Sequence, residues 1–425
     1  MILGVFLGTL FFGLAIGVPV AFALMFCGVV MMWWLGIFNP QIISQQMVTG
    51  ANTFTLLAIP FFLLAGELMN AGGLSKRIVD FAVACVGHIR GGLGIVAVIA
   101  AVVMASLSGS AAADSAALAA ILIPMMRDAG YNVPRAAGLM AAGGVIAPVI
   151  PPSIAFIIFG VAANVSITAL FMGGIVPGLL MAMSLIVAWI IVSRRENVAP
   201  LPKRTGRERL AATVRAGWAL VMPLIILGGI RFGVFTPTEA AVVAAVYALF
   251  VGLFIYRELK LSDLYGVLLR AAKTTSIVLF LVSAALVTSW LITRANIPAE
   301  ITRFLSPIID NPKLLMLVIV LLVLVVGTVL DLAPTILILS PVLMPVIKAA
   351  GIDPVYFGII FVMTTCIGLL TPPVGVVLNV VSGVARVPLG KVIWGVWPFL
   401  LAQVGVLFLL IAIPEIVLIP LSILR

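Results

Sequence analysis

The chain has 425 residues, 64% of them apolar and only 9% charged, with a mean hydropathy of +1.35. A soluble globular protein averages about 45–50% apolar and about 25% charged residues. The polar residues for a water-facing shell are missing here, which excludes a soluble enzyme and a disordered chain. Three cysteines (Cys27, Cys85, Cys366), all in or beside apolar runs, exclude a disulfide scaffold.

Continuous apolar runs such as 314–326 exclude a transmembrane β-barrel, whose strands alternate apolar and polar residues. What remains is an all-α polytopic membrane protein. Its net charge of +10 does not call for nucleic acid, because cytoplasmic loops carry excess Lys and Arg.

No basic region precedes the first apolar run and the first charged residue is Glu67, so Met1 is expected to begin a membrane span rather than a cleaved signal. Candidate spans follow at 3–36 (one long or two short), 53–70, 92–126, 136–160, 167–193, 216–232, 237–256, 273–293, 313–346, 355–384 and 391–422. Several exceed the roughly 20 residues of one crossing and contain Pro or Gly, which predicts broken helices or re-entrant hairpins and about 10 to 13 membrane segments. Thr236, Pro237 and Glu239 read as the cap, first and third positions of a helix start. Glu67 reads as interfacial or capping.

The stretch 194–215 carries Arg194, Arg195, Lys203, Arg204, Arg207, Arg209 and Arg215 against Glu196 and Glu208, without the interleaved aromatics that stack bases. It reads as a cytoplasmic linker. The next long loop, with Arg257, Lys260, Arg270 and Lys273, then falls on the same side, as its charge requires.

A shift of 221 residues superposes the punctuation of the chain. Pro124 meets Pro345, Arg127 meets Lys348, Gly130 meets Gly351, Pro151–Pro152 meets Pro372–Pro373, Gly174 meets Gly395 and Pro177 meets Pro398. The chain is therefore expected to hold two pseudo-repeats, residues 1–193 and 216–425, joined by the linker 194–215. Such repeats mark secondary transporters, often with inverted topology.

Each half has a small-residue break followed about 43 residues later by a Pro-Pro break (109 to 152, 330 to 373). Proline removes an N–H and frees a carbonyl, and glycine lets backbone approach a ligand. Facing breaks would supply the bare oxygens that a hard monovalent cation such as Na⁺ requires. One candidate site uses Ser106, Ser108, Gly109 and Ser110 with Ala147, Ile150 and Pro152; the other uses Gly327 and Thr328 with Gly368, Thr371 and Val374. The bland alternative for small residues is close helix packing.

Asp114 and Asp331 are membrane carboxylates, costly unless they face the interior or a wet cavity. They are candidates for gating or coupling; for Asp114, and less so for Asp331, a helix-capping role is the competing expectation. Ser153, Asn164, Asp331, Thr335 and Asn379 are candidates for the substrate, with helix-end capping as the alternative for the two asparagines. Half-helix N-termini at the breaks would offer N–H donors to an anion. Arg127, Arg135 and Lys348 read as topology determinants. The single histidine, His88, and the absence of HExxH, GxSxG, GxGD and GxxxxGK[ST] patterns argue against hydrolase and ATPase chemistry. No cofactor is expected beyond a coupling ion.

The segments LLAIPFFLLAGELMNAGGLSKRIVDF (56–81), SLSGSAAADSAALAAILIPMM (106–126), GYNVPRAAGL with IAPVIPPS (130–153), FTPTEAA (235–241), LDLAPTILILSPVLMP (330–345) and GIDPVYFG with TPPVG (351–375) spread over most of the chain. In these segments the sequence resembles the large membrane subunit, DctM type, of tripartite ATP-independent periplasmic (TRAP) transporters. The resemblance implies Na⁺-coupled uptake of an organic acid, such as a C4-dicarboxylate, keto acid, sugar acid or sialic acid, in the bacterial inner membrane. It implies two partners, a periplasmic substrate-binding protein and a separate small four-helix membrane subunit. The implied fold is an elevator, a transport domain with two hairpins moving in a scaffold. Ala147 departs from the glycine that related sequences often place before this proline. The competing expectations are a stand-alone organic-anion transporter coupled to protons through Asp114 and Asp331, and, more remotely, an intramembrane aspartyl protease.

Overall fold

The computed structural model describes residues 2–194, 196, 198 and 200–424. The span start expected at Met1 and the linker's Arg195 lie outside the described residues. The described chain is helical, with no strand among the described residues.

The first apolar stretch folds as two short helices, α1 (Ile2–Ala15) and α2 (Val20–Trp34), because Gly17 takes a left-handed φ of 83° and Pro19 follows. Then come α3 (Pro40–Ala51), α4 (Ala58–Ala71) and α5 (Leu74–Val86). The long 92–126 stretch breaks into α6 (Gly92–Ser108) and α7 (Ala111–Asp128), and the 136–160 stretch into α8 (Val133–Gly144) and α9 (Ile154–Ala163). A long α10 (Ile167–Ser193) closes the first half.

The second half holds α11 (Gly206–Arg231), α12 (Pro237–Phe250), α13 (Leu261–Arg294), α14 (Ile297–Leu305), α15 (Pro312–Gly327), α16 (Leu332–Ala349), α17 (Pro354–Gly368), α18 (Val376–Ala385), α19 (Leu389–Ala412) and α20 (Glu415–Leu424). Among the described residues seven helices are long and apolar enough to cross a membrane, α16 among them, while α6, α8, α9, α15, α17 and α18 are shorter.

Three helices escape a hydropathy reading. In α3, α5 and α14 polar residues interrupt the apolar ones, so no window reaches a span's hydropathy. The linker is also shorter than expected. Thr205 Oγ1 accepts from Glu208 N at 3.3 Å while Glu208 Oε2 accepts from Thr205 N at 2.7 Å. This capping box starts α11 at Gly206, inside the basic stretch. The expected start of α12 is present as drawn, with the Glu239 carboxylate accepting from Thr236 N at 2.8 Å.

The repeat is visible element by element. Shifting α7 by 221 gives the bounds of α16, and Val133, which opens α8, maps onto Pro354, which opens α17. The two halves are inverted. The base of the α6–α7 hairpin lies at the linker end of the molecule: Trp189 Nε1 donates to Gly91 O (2.7 Å), and Arg135 pairs with Glu196 at 2.8 Å. The base of α15–α16 lies at the other end of the bundle, where Lys313 Nζ donates to Ala412 O (2.9 Å) at the close of α19. The hairpins therefore enter from opposite membrane faces and their tips meet near the middle. Exposed apolar side chains such as Trp33, Leu224 and Ile277 cover the outside, where hydrocarbon replaces water.

Candidate functional site

At the first break α6 ends on Ser108, and the chain reverses at Gly109 (φ 63°) so that α7 can begin at Ala111. A methyl on Gly109 would lie 3.1 Å from the Pro152 carbonyl oxygen and 3.2 Å from Ile154 N. The SLSGS break thus rests directly on the Pro-Pro loop. In the second half a methyl on Gly368 would lie 2.7 Å from the Gly327 carbonyl carbon, so these two glycines press backbone against backbone. Ser106 and Ala147 occupy the corresponding positions of the first half. Both Pro-Pro bonds, Pro151–Pro152 and Pro372–Pro373, are cis.

A cavity of about 180 Å³ lies between the halves. Its wall includes Ser110 and Ala111 at the start of α7, Ile154 and Ala155 at the start of α9, Asp331 and Leu332 at the start of α16, and Val376 and Val377 at the start of α18. Four helix N-termini therefore converge on one small volume. The first N–H groups of a helix have no partner within it, and each N-terminus carries partial positive charge. Such a wall attracts an anion without any arginine or lysine. Leu63 of α4 and Thr274 and Val278 of α13 complete it. A second cavity of about 250 Å³ shares Leu63, Ser110, Ala112 and Thr274 and runs on to Gly66, Glu67 and Asn70.

The sequence pattern described as "Tripartite ATP-independent periplasmic transporter, DctM component" matches residues 7–416. The chain belongs to the DctM family. It is 54% identical over 418 residues, 98% of each chain, to the 2,3-diketo-L-gulonate TRAP transporter large permease protein YiaN of Escherichia coli. It is 41% identical to the sialic acid TRAP transporter large permease protein SiaM of Vibrio cholerae, covering 96% of this chain and 95% of that one. In fold it is similar to the Alcanivorax borkumensis YdaH transporter, with a TM-score of 0.63 at 15% identity, over 87% of this chain and 86% of that one. DctM-family proteins are inner-membrane transport components, not enzymes, so the aspartyl-protease reading is dropped. Large permeases of this family work with a small membrane subunit and a periplasmic binding protein.

In this TRAP permease the candidate cation residues fall in the two breaks. Ser106 is buried and donates to Val103 O (2.6 Å). Ser108 donates to the Asp114 carboxylate and accepts from Ser110 N. Ala147, Ile150 and Pro152 lie in the buried loop between α8 and α9. Thr328 donates to Val325 O (2.8 Å) and Thr371 to Ile367 O (2.9 Å). Val374 is 39% exposed, whereas its first-half counterpart Ser153 is fully buried, so the second loop is the more open of the two.

Three expectations are corrected. Asp114 is not the cap of α7: Ser110 is, accepting from Ala113 N, and Asp114 sits one turn inside, buried, its Oδ2 without a hydrogen-bond partner among the described residues. The cap falls to Asp331 in the other half, where Oδ1 accepts from Leu332 N at 2.8 Å. Asn379 is not a helix-end cap but lies within α18 and donates to Val374 O at 2.7 Å. Glu67 is not a cap; it lies within α4 and pairs with Arg270 of α13 at 2.8 Å.

Among the substrate candidates, Asp331 lines the central cavity. Ser153 caps α9, accepting from Phe156 N (3.1 Å) and donating to Pro148 O. Thr335 is buried and donates to Asp331 O (2.9 Å). Asn164 ends α9 in a left-handed conformation and lines a separate cavity with Thr53 and Pro237. Arg127 donates to Ala385 O (2.9 Å), closing the end of α18.

The walls supplied by α4 and α13 were not singled out from sequence, because Leu63, Thr274 and Val278 look like ordinary span residues. The offset relates the two helices, since residues 58–71 shifted by 221 become 279–292, inside α13, but it does not pick out these three positions.

Proposed function

We propose that this permease takes up an organic acid by coupling it to Na⁺, receiving the acid from a periplasmic binding protein and working with a separate small four-helix subunit. The observation that carries this reading is the convergence of four helix N-termini, two from each inverted half, on the cavity between the breaks. The carboxylate of an organic acid matches those N–H groups. Relatives named for 2,3-diketo-L-gulonate and for sialic acid support a sugar-acid substrate class.

Na⁺ would be held by carbonyls of the two loops and by the hydroxyls of Ser106, Ser108, Ser110, Thr328 and Thr371, beside Gly109 and Gly327. Bound there, it would cancel part of the substrate's charge and of the Asp331 carboxylate, so that ion and acid favour each other's binding. The broken helices α6–α9 and α15–α18 would carry the cavity across the bilayer against a frame that includes α4 and α11–α13, in the elevator manner.

The test is uptake in proteoliposomes holding both membrane subunits, with the loaded binding protein outside. The expected result is accumulation that follows an inward Na⁺ gradient and requires the binding protein. Uptake that ignores Na⁺ and follows ΔpH, or proceeds without the binding protein, would overturn it in favour of the proton-coupled reading.

A further inference from the structure

The two adjoining cavities, which share four lining residues, carry charged groups of one sign. The central one has Asp331 and the second has Glu67. Asp331 belongs to the wall where a cation is proposed. Glu67 does not: it stands on α4, outside both breaks, in a cavity that shares Leu63, Ser110, Ala112 and Thr274 with the central one.

The second cavity points to the cytoplasmic end. α4 continues past Glu67 into α5, whose Arg77 pairs with Glu258 at 2.8 Å, beside the basic loop that follows α12. That end is the side of the linker 194–215. A methyl on Gly66 would lie 3.5 Å from the Ser108 Cα, so Glu67 stands next to the point where α4 touches the first break.

A bare carboxylate there would repel an anion leaving the helix N-termini. Arg270 removes that obstacle. Its Nε lies 2.8 Å from Glu67 Oε2, while the guanidinium is half exposed and lines neither cavity. The pair leaves the passage close to neutral, with neither a barrier nor a trap for the acid.

We propose that the Arg270–Glu67 pair is the release threshold of the transport path, a charge-compensated doorway through which the organic anion leaves toward the cytoplasm. This rests on the organic-acid reading above and adds to it the exit route and the residues that set its electrostatics. A purely structural role, clamping α4 to α13, predicts different behaviour. A lost clamp is not restored by removing its second half, whereas a lost charge balance is.

The experiment measures the potential of the passage with small charged thiol reagents and needs no transported acid. Thr274→Cys, whose position lines both cavities, is made with Cys85→Ser; Cys27 and Cys366 are buried. Inside-out vesicles containing both membrane subunits are treated with an anionic (sulfonatoethyl) or a cationic (trimethylammonioethyl) methanethiosulfonate. The ratio of the two rates is the readout. Arg270→Gln is expected to lower the anionic-to-cationic ratio about tenfold, the effect of one unbalanced charge several ångströms away in a wet passage. Glu67→Gln with Arg270→Gln is expected to restore it to within about twofold.

An unchanged ratio in Arg270→Gln, or one that the double variant fails to restore, would overturn the proposal. So would absence of labelling at both Thr274→Cys and Ala271→Cys, a second lining position. Uptake that fails to follow Na⁺ would sink the coupling reading while leaving these rates standing.

Discussion

Ser110 and Asp331 stand 221 residues apart in the chain and at equivalent places in the fold, each capping a helix that starts at the central cavity. The hydroxyl accepts from the third helical N–H and the carboxylate from the first. The duplication has kept the cap and changed its charge, so the two halves present different faces to whatever occupies the cavity.

That difference separates capping from chemistry. Ser110→Ala removes a cap and should lower stability by about 1 kcal/mol. Asp331→Asn keeps an acceptor and should unfold within about 0.5 kcal/mol of wild type, yet raise the Na⁺ concentration for half-maximal uptake. Thermal unfolding in detergent and uptake against Na⁺ concentration read the two effects.

The Gly327–Gly368 contact leaves no room for a side chain. Gly368→Ala should cost about 1–3 kcal/mol through overpacking and push the end of α15 away from α17. Its counterpart already carries a methyl at Ala147, so Ala147→Gly should change stability by less than about 1 kcal/mol. Thermal unfolding of the two variants, side by side, checks the asymmetry.

Thr371→Ala and Ser108→Ala should weaken Na⁺ more than substrate. A hydroxyl lost from a charged partner is worth about 1.5–3 kcal/mol, or roughly ten- to hundredfold in affinity. Uptake titrated separately in Na⁺ and in loaded binding protein gives both constants. Equal shifts would remove these hydroxyls from the cation sites.

Trp189 ties α10 to the base of the first hairpin. It is fully buried, donates to Gly91 O at 2.7 Å, and packs near Phe399 and Tyr131 with ring centroids 6.2 and 5.8 Å away. Trp189→Phe removes one of the two donors to the Gly91 carbonyl, which keeps Gly94 N at 3.1 Å, and should cost about 0.5–1.5 kcal/mol. A lowered unfolding temperature checks this, together with faster amide exchange at residues 91–95.

Composition placed this chain in a membrane, since apolar residues in such excess admit no other solvent, and its unbroken apolar runs made it a helical bundle. The 221-residue offset located both breaks, because prolines and glycines change backbone geometry wherever they stand and so keep their meaning without any tertiary context. The helix start at Thr236 was legible for the same reason, its cap being made by neighbours in sequence. Only the tertiary structure decided which carboxylate caps and which is buried. Each carboxylate follows a small-residue break, and the donor that claims Asp114 is the Ser108 hydroxyl on the other side of a chain reversal. Only the tertiary structure brought Glu67 to Arg270 across 203 positions and closed the cavity with α4 and α13. Local geometry is written in local residues; a wall built from distant helices follows from how they pack, which no single segment encodes.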